Sequence, residues 1–436
     1  MTRTSIAFGT DGIRGVAGRW PIDDEGAVRV GAAAARWGGI GHGVVIGRDP
    51  RSSGSRLAEA VASGVRGSGG RPVDAGVVPT AAVQVALAEG LGRVGVMITA
   101  SHNPDEDNGF KLLGVGGRKP DDETCAALAA WMSEEPRSRA TPPGEELVDA
   151  SVAQVWLRSL TERCPDLAVL AGRRIAVDLG NGAASPHREA LERWLPCQVL
   201  WVGARGRVND GCGTEHLETL REAVVSSGCD GGFALDGDAD RCRLVDERGA
   251  EVAGDAITWL LARSMDVSRL AVTVMSNGAL EGLLPGVGVV RTPVGDRHLR
   301  ETMDRDGIAL GAEESGHVLF GDHPGGDGVL TGVRALCSSW RQARTVSEAV
   351  SGFVPWPRRT ARVRVASRPP LADLVELQDA RRVGEAALGR AGRVHLLYSG
   401  TEPVLRILVE GRDRHVVDRV HDDVLAAARA ALPGAS

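Results

Sequence analysis

At 436 residues the chain exceeds the size at which one hydrophobic core keeps growing, so several domains are expected. A hydrophobic fraction of 43% and a charged fraction of 25% are those of an ordinary globular protein, and a net charge of −6 speaks against a nucleic-acid partner, which needs a basic face. The opening Met1-Thr2-Arg3-Thr4-Ser5 has no apolar signal core and no stretch approaches the roughly 20 apolar residues that span a bilayer, so no membrane contact and a cytoplasmic setting are expected.

Short apolar runs alternate with longer amphipathic stretches, the pattern of α/β units with buried strands. The first loop, residues 8–15 (FGTDGIRG), sets three glycines around Asp11 and Arg14 and suits a phosphate. Helices are expected over 24–37 and 55–68, strands over 44–46 and 94–98. The strand over 94–98 runs into Ser101-His102-Asn103-Pro104, and open α/β sheets place ligand chemistry at such strand ends. Pro104 forces Asn103 out of the helical region, so Ser101 lies in a loop. His102, Asn108 and Lys111 supply polar and cationic neighbours for an anion; an ordinary turn with a capping serine is the alternative. Only Lys111 and Lys119 break an otherwise all-arginine basic complement, and a retained lysine suits chemistry that needs a movable ammonium pKa.

The Pro-rich segment 133–145 reads as a first domain boundary. A strand over 175–177 and a helix over 217–226 follow, then a strand that opens into Asp236-Gly237-Asp238-Ala239-Asp240-Arg241. Three carboxylates at alternate positions are costly to bring together without a cation, and oxygen ligands favour magnesium or calcium over zinc. Glu247 falls where an EF-hand places its last ligand, but Arg241 stands where that loop needs glycine, and a strand precedes it. Arg241 reads as a phosphate clamp; a solvated acidic turn is the alternative. Residues 245–254 read as a turn between the second and third units, followed by a helix over 255–264 and a strand over 271–274. The loop 311–317 (GAEESGH) sets Glu313, Ser315 and His317 among glycines, groups able to bond sugar hydroxyls. Beyond a Pro-rich boundary at 352–359, a strand over 394–397 leads into 399–406 (SGTEPVLR), which resembles a phosphate-binding nest, and a helix over 416–431 ends the pattern. Seven scattered cysteines with no CxxC pair indicate neither a disulfide frame nor a zinc site.

Taken together and in this order, FGTDGIRG at 8–15, TASHNP at 99–104, DGDADR at 236–241, ESGH at 314–317 and SGTEP at 399–403 resemble the α-D-phosphohexomutase family. VNDGCGTEH at 208–216 and TPVGDRHL at 292–299 resemble its bacterial amino-sugar branch, which interconverts glucosamine 6-phosphate and glucosamine 1-phosphate. The resemblance implies four domains around a central cleft: three similar α/β domains with mixed sheets (1–145, 146–246 and 247–352) and a smaller α+β C-terminal domain (353–436). It implies Ser101 as a phosphoserine, one Mg²⁺ per chain on Ser101, Asp236, Asp238 and Asp240, and a sugar bisphosphate as primer. Arg14, His102, Lys111 and Arg241 would surround the reacting oxygen, with either Lys111 or His102 as proton acceptor. Glu313, Ser315 and His317 would bind the sugar, and Ser399, Gly400, Thr401 and Arg406 the distal phosphate. The expected partner is a small phosphosugar; the resemblance also admits a homodimer.

One departure stands out. The family places an arginine two residues before the last serine, and here that position is Leu397. A charge-assisted contact to phosphate is worth roughly 1.5–3 kcal/mol, so its loss weakens substrate binding by one to two orders of magnitude unless Arg393 or Arg406 substitutes. Three readings follow: the amino-sugar mutase, a mutase for glucose, mannose or a specialised sugar phosphate, and a non-catalytic phosphosugar-binding protein.

Overall fold

Two five-residue apolar runs, Val94–Ile98 and Gly231–Leu235, are buried along their whole length and become the central strands of two sheets. Continuous burial is what a strand covered on both faces requires. The protein is seen in a computed structural model that describes residues 6, 8–9, 11–134, 148–203, 206–343, 345–398 and 403–432. The expected boundary segment 133–145 lies almost wholly outside the described residues.

The first sheet contains β1 (Ile13–Val16), β2 (Gly43–Arg48), β3 (Arg71–Val77), β4 (Val94–Ile98) and β5 (Asp107–Leu113), in the order β1-β5-β4-β2-β3. β4 runs parallel to β2 and antiparallel to β5, so the chain leaves β4, forms a loop and returns as a hairpin. Helices Asp24–Gly38 and Gly54–Gly67 cover this sheet, the first started by Asp23, whose carboxylate accepts the N–H of Gly26 at 2.8 Å.

The second sheet contains β6 (Arg174–Asp178), β7 (Gln198–Val202), β8 (Gly231–Leu235), β9 (Cys242–Asp246) and β10 (Glu251–Val252), in the order β10-β9-β8-β6-β7. β8 is parallel to β6 and antiparallel to β9, the same arrangement as around β4. The expected inter-unit turn over 245–254 is shorter than the composition implied. Asp246 accepts the N–H groups of Arg248 and Ala250 at 3.0 and 2.8 Å, closing a tight turn that returns β10 to β9. The second sheet therefore runs to Val252, past the expected edge at 246.

The third sheet holds β11 (Arg269–Thr273), β12 (Gly288–Thr292), β13 (Leu310–Ala312) and β14 (Val318–Phe320), in the order β12-β11-β13-β14. β13 is parallel to β11 and antiparallel to β14, a third copy of the same arrangement.

Met1–Thr273 and Val290–Ser351 form one compact unit; Val274–Val289 and Gly352–Ser436 form another. The second unit carries the antiparallel sheet of β15 (Arg358–Arg364), β16 (Gly392–Tyr398) and β17 (Val404–Gly411), ordered β15-β17-β16, with helices Val375–Leu388 and Arg414–Ala431. Residues 274–289, expected in the third domain, pack here because Glu410 is buried and needs partners. Its carboxylate accepts the N–H of Gly278 at 2.8 Å and pairs with Arg393 at 2.7 Å. No helix among the described residues is long and apolar enough to cross a membrane.

Candidate active site

Three loops of the first unit occupy one topological position: each leaves the C-terminal end of a central strand and precedes the antiparallel return. Ser101 follows β4, Asp236 follows β8 and Glu313 follows β13. Ser101 is fully buried, with a left-handed backbone (φ +55°). Its Oγ donates to Asp236 Oδ2 at 2.6 Å and lies 3.5 Å from His102 Nδ1. The serine is thus a buried hydroxyl on a carboxylate and not an exposed helix cap.

Asp236, Asp238 and Asp240 are buried, and each offers an oxygen within 4.8 Å of the others. Gly237 lets the two loops meet, since a Cβ there would stand 2.5 Å from the Ser101 carbonyl oxygen. Lys111 Nζ donates to Asp238 Oδ2 and Asp240 Oδ2, both at 2.6 Å, and lies 2.9 Å from Asp11 Oδ2. Burial opposes its charge, but Asp11, Asp238 and Asp240 hold the ammonium well above the usual lysine range. Burial and then the neighbouring Asp240 and Asp238 push the Asp236 carboxyl well up. Asp240 goes the other way: burial would raise it, yet Lys111 and His317 keep it low.

Asp238 Oδ1 and Asp240 Oδ1 are buried and have no hydrogen-bond partner among the described residues. Two orphaned carboxylate oxygens beside Asp236 fit a hard divalent cation, which Asp236, Asp238, Asp240 and the Ser101 hydroxyl would hold.

Arg14 pairs with Asp11 at 2.6 Å. Arg241 donates from Nη1 to His102 Nδ1 at 3.1 Å. Burial, then Arg241 and Arg14, lower the His102 pKa, which leaves that ring neutral at pH 7. His317 Nδ1 is 3.9 Å from Asp240 and its Nε2 is 3.6 Å from Asp296. Glu313 Oε1 accepts the N–H of Gly295 at 3.0 Å, and Ser315 Oγ is buried with no partner among the described residues. The structure therefore gathers Arg14, Ser101, His102, Lys111, Arg241, His317 and the three aspartates, with Glu313 and Ser315 on the loop that carries His317.

Ser399, Gly400 and Thr401 lie outside the described residues. In the second unit Leu397 is exposed and stands directly opposite Arg406 on the neighbouring strand. Arg393, the other substitute considered, donates to Glu410 and, at 2.7 Å, to the Ser276 carbonyl. Its guanidinium is therefore engaged in holding residues 274–289.

Several residues escaped the sequence reading. Thr80 donates its hydroxyl to Asp238 Oδ2. Lys119 joins Asp11 to Asp296, at 2.7 Å from the latter; its rarity marked it, but nothing in its spacing placed it here. Arg51 and Asn209 reach the backbone of the serine loop, with nothing local in the sequence to separate Arg51 from the other arginines.

This fold and this constellation of serine, acidic triad and lysine define a phosphohexomutase. The phosphoglucomutase/phosphomannomutase family model matches through its alpha/beta/alpha domain I at residues 5–138, domain II at 154–249, domain III at 253–355 and its C-terminal domain at 361–427, and the chain belongs to that family. Among its relatives is a phosphoglucosamine mutase of Sphingopyxis alaskensis, 40% identical over 98% of this chain and 99% of the relative. The crystal structure of a phosphoglucomutase/phosphomannomutase family protein from Burkholderia thailandensis shares the fold, with a TM-score of 0.79, 24% identity and 98% of both chains covered. So does the N-acetylphosphoglucosamine mutase of Aspergillus fumigatus, solved with GlcNAc-6P and magnesium, at a TM-score of 0.66 and 19% identity over 99% of this chain and 96% of that one.

Proposed function

We propose that the chain moves a phosphoryl group between O6 and O1 of a hexosamine phosphate, converting glucosamine 6-phosphate to glucosamine 1-phosphate in the cytoplasm. The observation that carries this reading is the Ser101 hydroxyl at 2.6 Å from Asp236, inside a triad with two orphaned oxygens. Ser101 serves as the phosphoryl carrier: its Oγ–P bond breaks as a sugar oxygen bonds phosphorus, giving a sugar bisphosphate. After the sugar turns around, Oγ takes back the other phosphoryl group. Mg²⁺ held by the triad would supply electrostatic stabilisation of the transferred group.

The chain's own groups then divide the work. His102, kept neutral by burial and by Arg241, accepts the proton of the attacking sugar hydroxyl at Nδ1, the nitrogen that Arg241 frees when it turns to the transferring oxygens. Lys111, whose ammonium lies 2.6 Å from Asp238 and Asp240, balances the carboxylates. Arg14 and Arg241 face the transferring oxygens, and Glu313, Ser315 and His317 bind the sugar. Arg406, with Ser399, Gly400 and Thr401, binds the non-reacting phosphate. A second reading, a mutase for another hexose phosphate, is favoured by Leu397, which removes an expected phosphate contact.

The test is a panel of glucosamine, glucose and mannose 1- and 6-phosphates with Mg²⁺ and a matching sugar bisphosphate primer. Fastest turnover on the glucosamine phosphates is expected, and intact mass should show one phosphoryl group, absent in Ser101→Ala. Turnover on no sugar phosphate after priming would refute the reading.

A further inference from the structure

The backbone of the serine loop is held by two side chains that touch neither the acidic triad nor, in the proposed reaction, the substrate. The Arg51 guanidinium is almost fully buried and uses all five of its N–H donors. Nε donates to Asp49 Oδ2 at 2.9 Å, and Nη1 donates to the Pro104 carbonyl and, at 2.9 Å, to that of Asp107. Nη2 donates to the carbonyls of Ser101 at 2.9 Å and Asn103 at 2.8 Å. Asn209, from the second sheet's side of the unit, sends its Nδ2 to the same two oxygens, at 2.8 Å for Ser101 and 3.1 Å for Asn103. Asp49 is fixed in turn by the Thr99 hydroxyl at 2.6 Å, and Thr99 Oγ1 accepts the Ser101 N–H at 2.9 Å.

We propose that Arg51 is a positioning residue for phosphoryl transfer, acting with Asn209 as a clamp on the Ser101 and Asn103 carbonyls that holds Ser101 left-handed with its hydroxyl on Asp236. A non-glycine residue at φ +55° is disfavoured on its own, and surroundings must over-determine it. Four donors on two carbonyl oxygens, from two sides of the loop, do so. The inference rests on the proposed function for its kinetic arm but not for its structural one.

The test compares the full-length protein with Arg51→Lys and Asn209→Ala. Lysine keeps the charge beside Asp49 but offers three donors from a single point, so most carbonyl contacts are lost while the buried pair survives. Misplacing a reacting group by about 1 Å costs roughly a hundredfold in rate, so kcat for Arg51→Lys should fall by about that factor with KM within twofold. Asn209→Ala should lose about tenfold and needs no buried charge to be accommodated. Amide exchange of the peptide covering residues 99–106 should accelerate at least about tenfold in both variants. Wild-type exchange in that peptide, or kcat within threefold of wild type in both folded variants, overturns the clamp. If the wild type turns over no sugar phosphate, the functional reading falls and the exchange arm alone decides whether the clamp exists.

Discussion

Replacing Lys111 with methionine separates the role of that ammonium in stability from its role toward the cation. Its Nζ sits at 2.6 Å from both Asp238 and Asp240 and 2.9 Å from Asp11, with almost no exposure. Asp11 keeps Arg14 and Lys119, but Asp238 and Asp240 lose their nearest full charge. Breaking a buried ion pair from one side costs about 3–5 kcal/mol, so in EDTA the variant should melt on the order of 5 °C lower. Divalent affinity should move oppositely. A unit and a double positive charge about 5 Å apart repel by roughly 6–7 kcal/mol at an effective dielectric of 20. Even a fifth of that surviving relaxation raises affinity about tenfold. Calorimetric titration of Mg²⁺ or Mn²⁺ into wild type and Lys111→Met, paired with melting curves at rising metal, reads both effects. At saturation metal should stabilise the variant by about 1.4 kcal/mol more than the wild type, closing roughly a third of the gap in melting temperature. Equal or weaker metal binding in the variant would show that Lys111 and the cation do not share the same carboxylates.

Gly237→Ala places a Cβ 2.5 Å from the Ser101 carbonyl oxygen and 2.8 Å from Val208, so kcat should drop at least about a hundredfold with the melting temperature less affected; near-wild-type turnover would mean the two loops can separate freely. Leu397→Arg should lower KM for the sugar phosphate by about tenfold with kcat unchanged, and an unaltered KM would show that Arg406, its cross-strand neighbour, already suffices. Burial holds His187 below the ordinary histidine range, only partly offset by its bond to the Val77 carbonyl at 3.0 Å. The unfolded chain then binds this proton first, so its stabilisation is present above about pH 6.5 and is lost as pH falls toward the native pKa, at up to ~1.4 kcal/mol per unit. Buried Asp49, pushed up to about 6, takes up a proton in the native state and acts in the opposite sense. Urea unfolding of wild type against His187→Gln from pH 7.5 to 5.5 isolates the histidine, and parallel pH slopes in the two proteins would contradict the assignment.

The strands that carry the chemistry were legible because burial on both faces writes them as unbroken apolar runs: Val94–Ile98 has the expected ends, and Gly231–Leu235 opens into Asp236 as expected. The loops after them were legible because three carboxylates at alternate positions are costly to gather without a cation. Two features were hidden, for different reasons. The threefold recurrence of a central strand followed by an antiparallel return lies in hydrogen-bond topology, and apolar side chains of many kinds satisfy it, so no repeat survives in the residues. Arg51 was hidden because a guanidinium that serves backbone carbonyls needs no particular neighbour in sequence; its partners at Ser101, Asn103 and Asp107 come from about 50 residues away. Residues 274–289 joined the second unit for a similar reason, since the demand came from the buried Glu410. Local sequence thus marks the groups that meet a ligand, whereas the groups that aim them answer to distant carbonyls and carboxylates. For Ser101 this distinction has a consequence: its motif identifies the hydroxyl, but its left-handed backbone is held by residues outside that motif, so a chain could retain TASHNP intact and still lose the geometry of transfer.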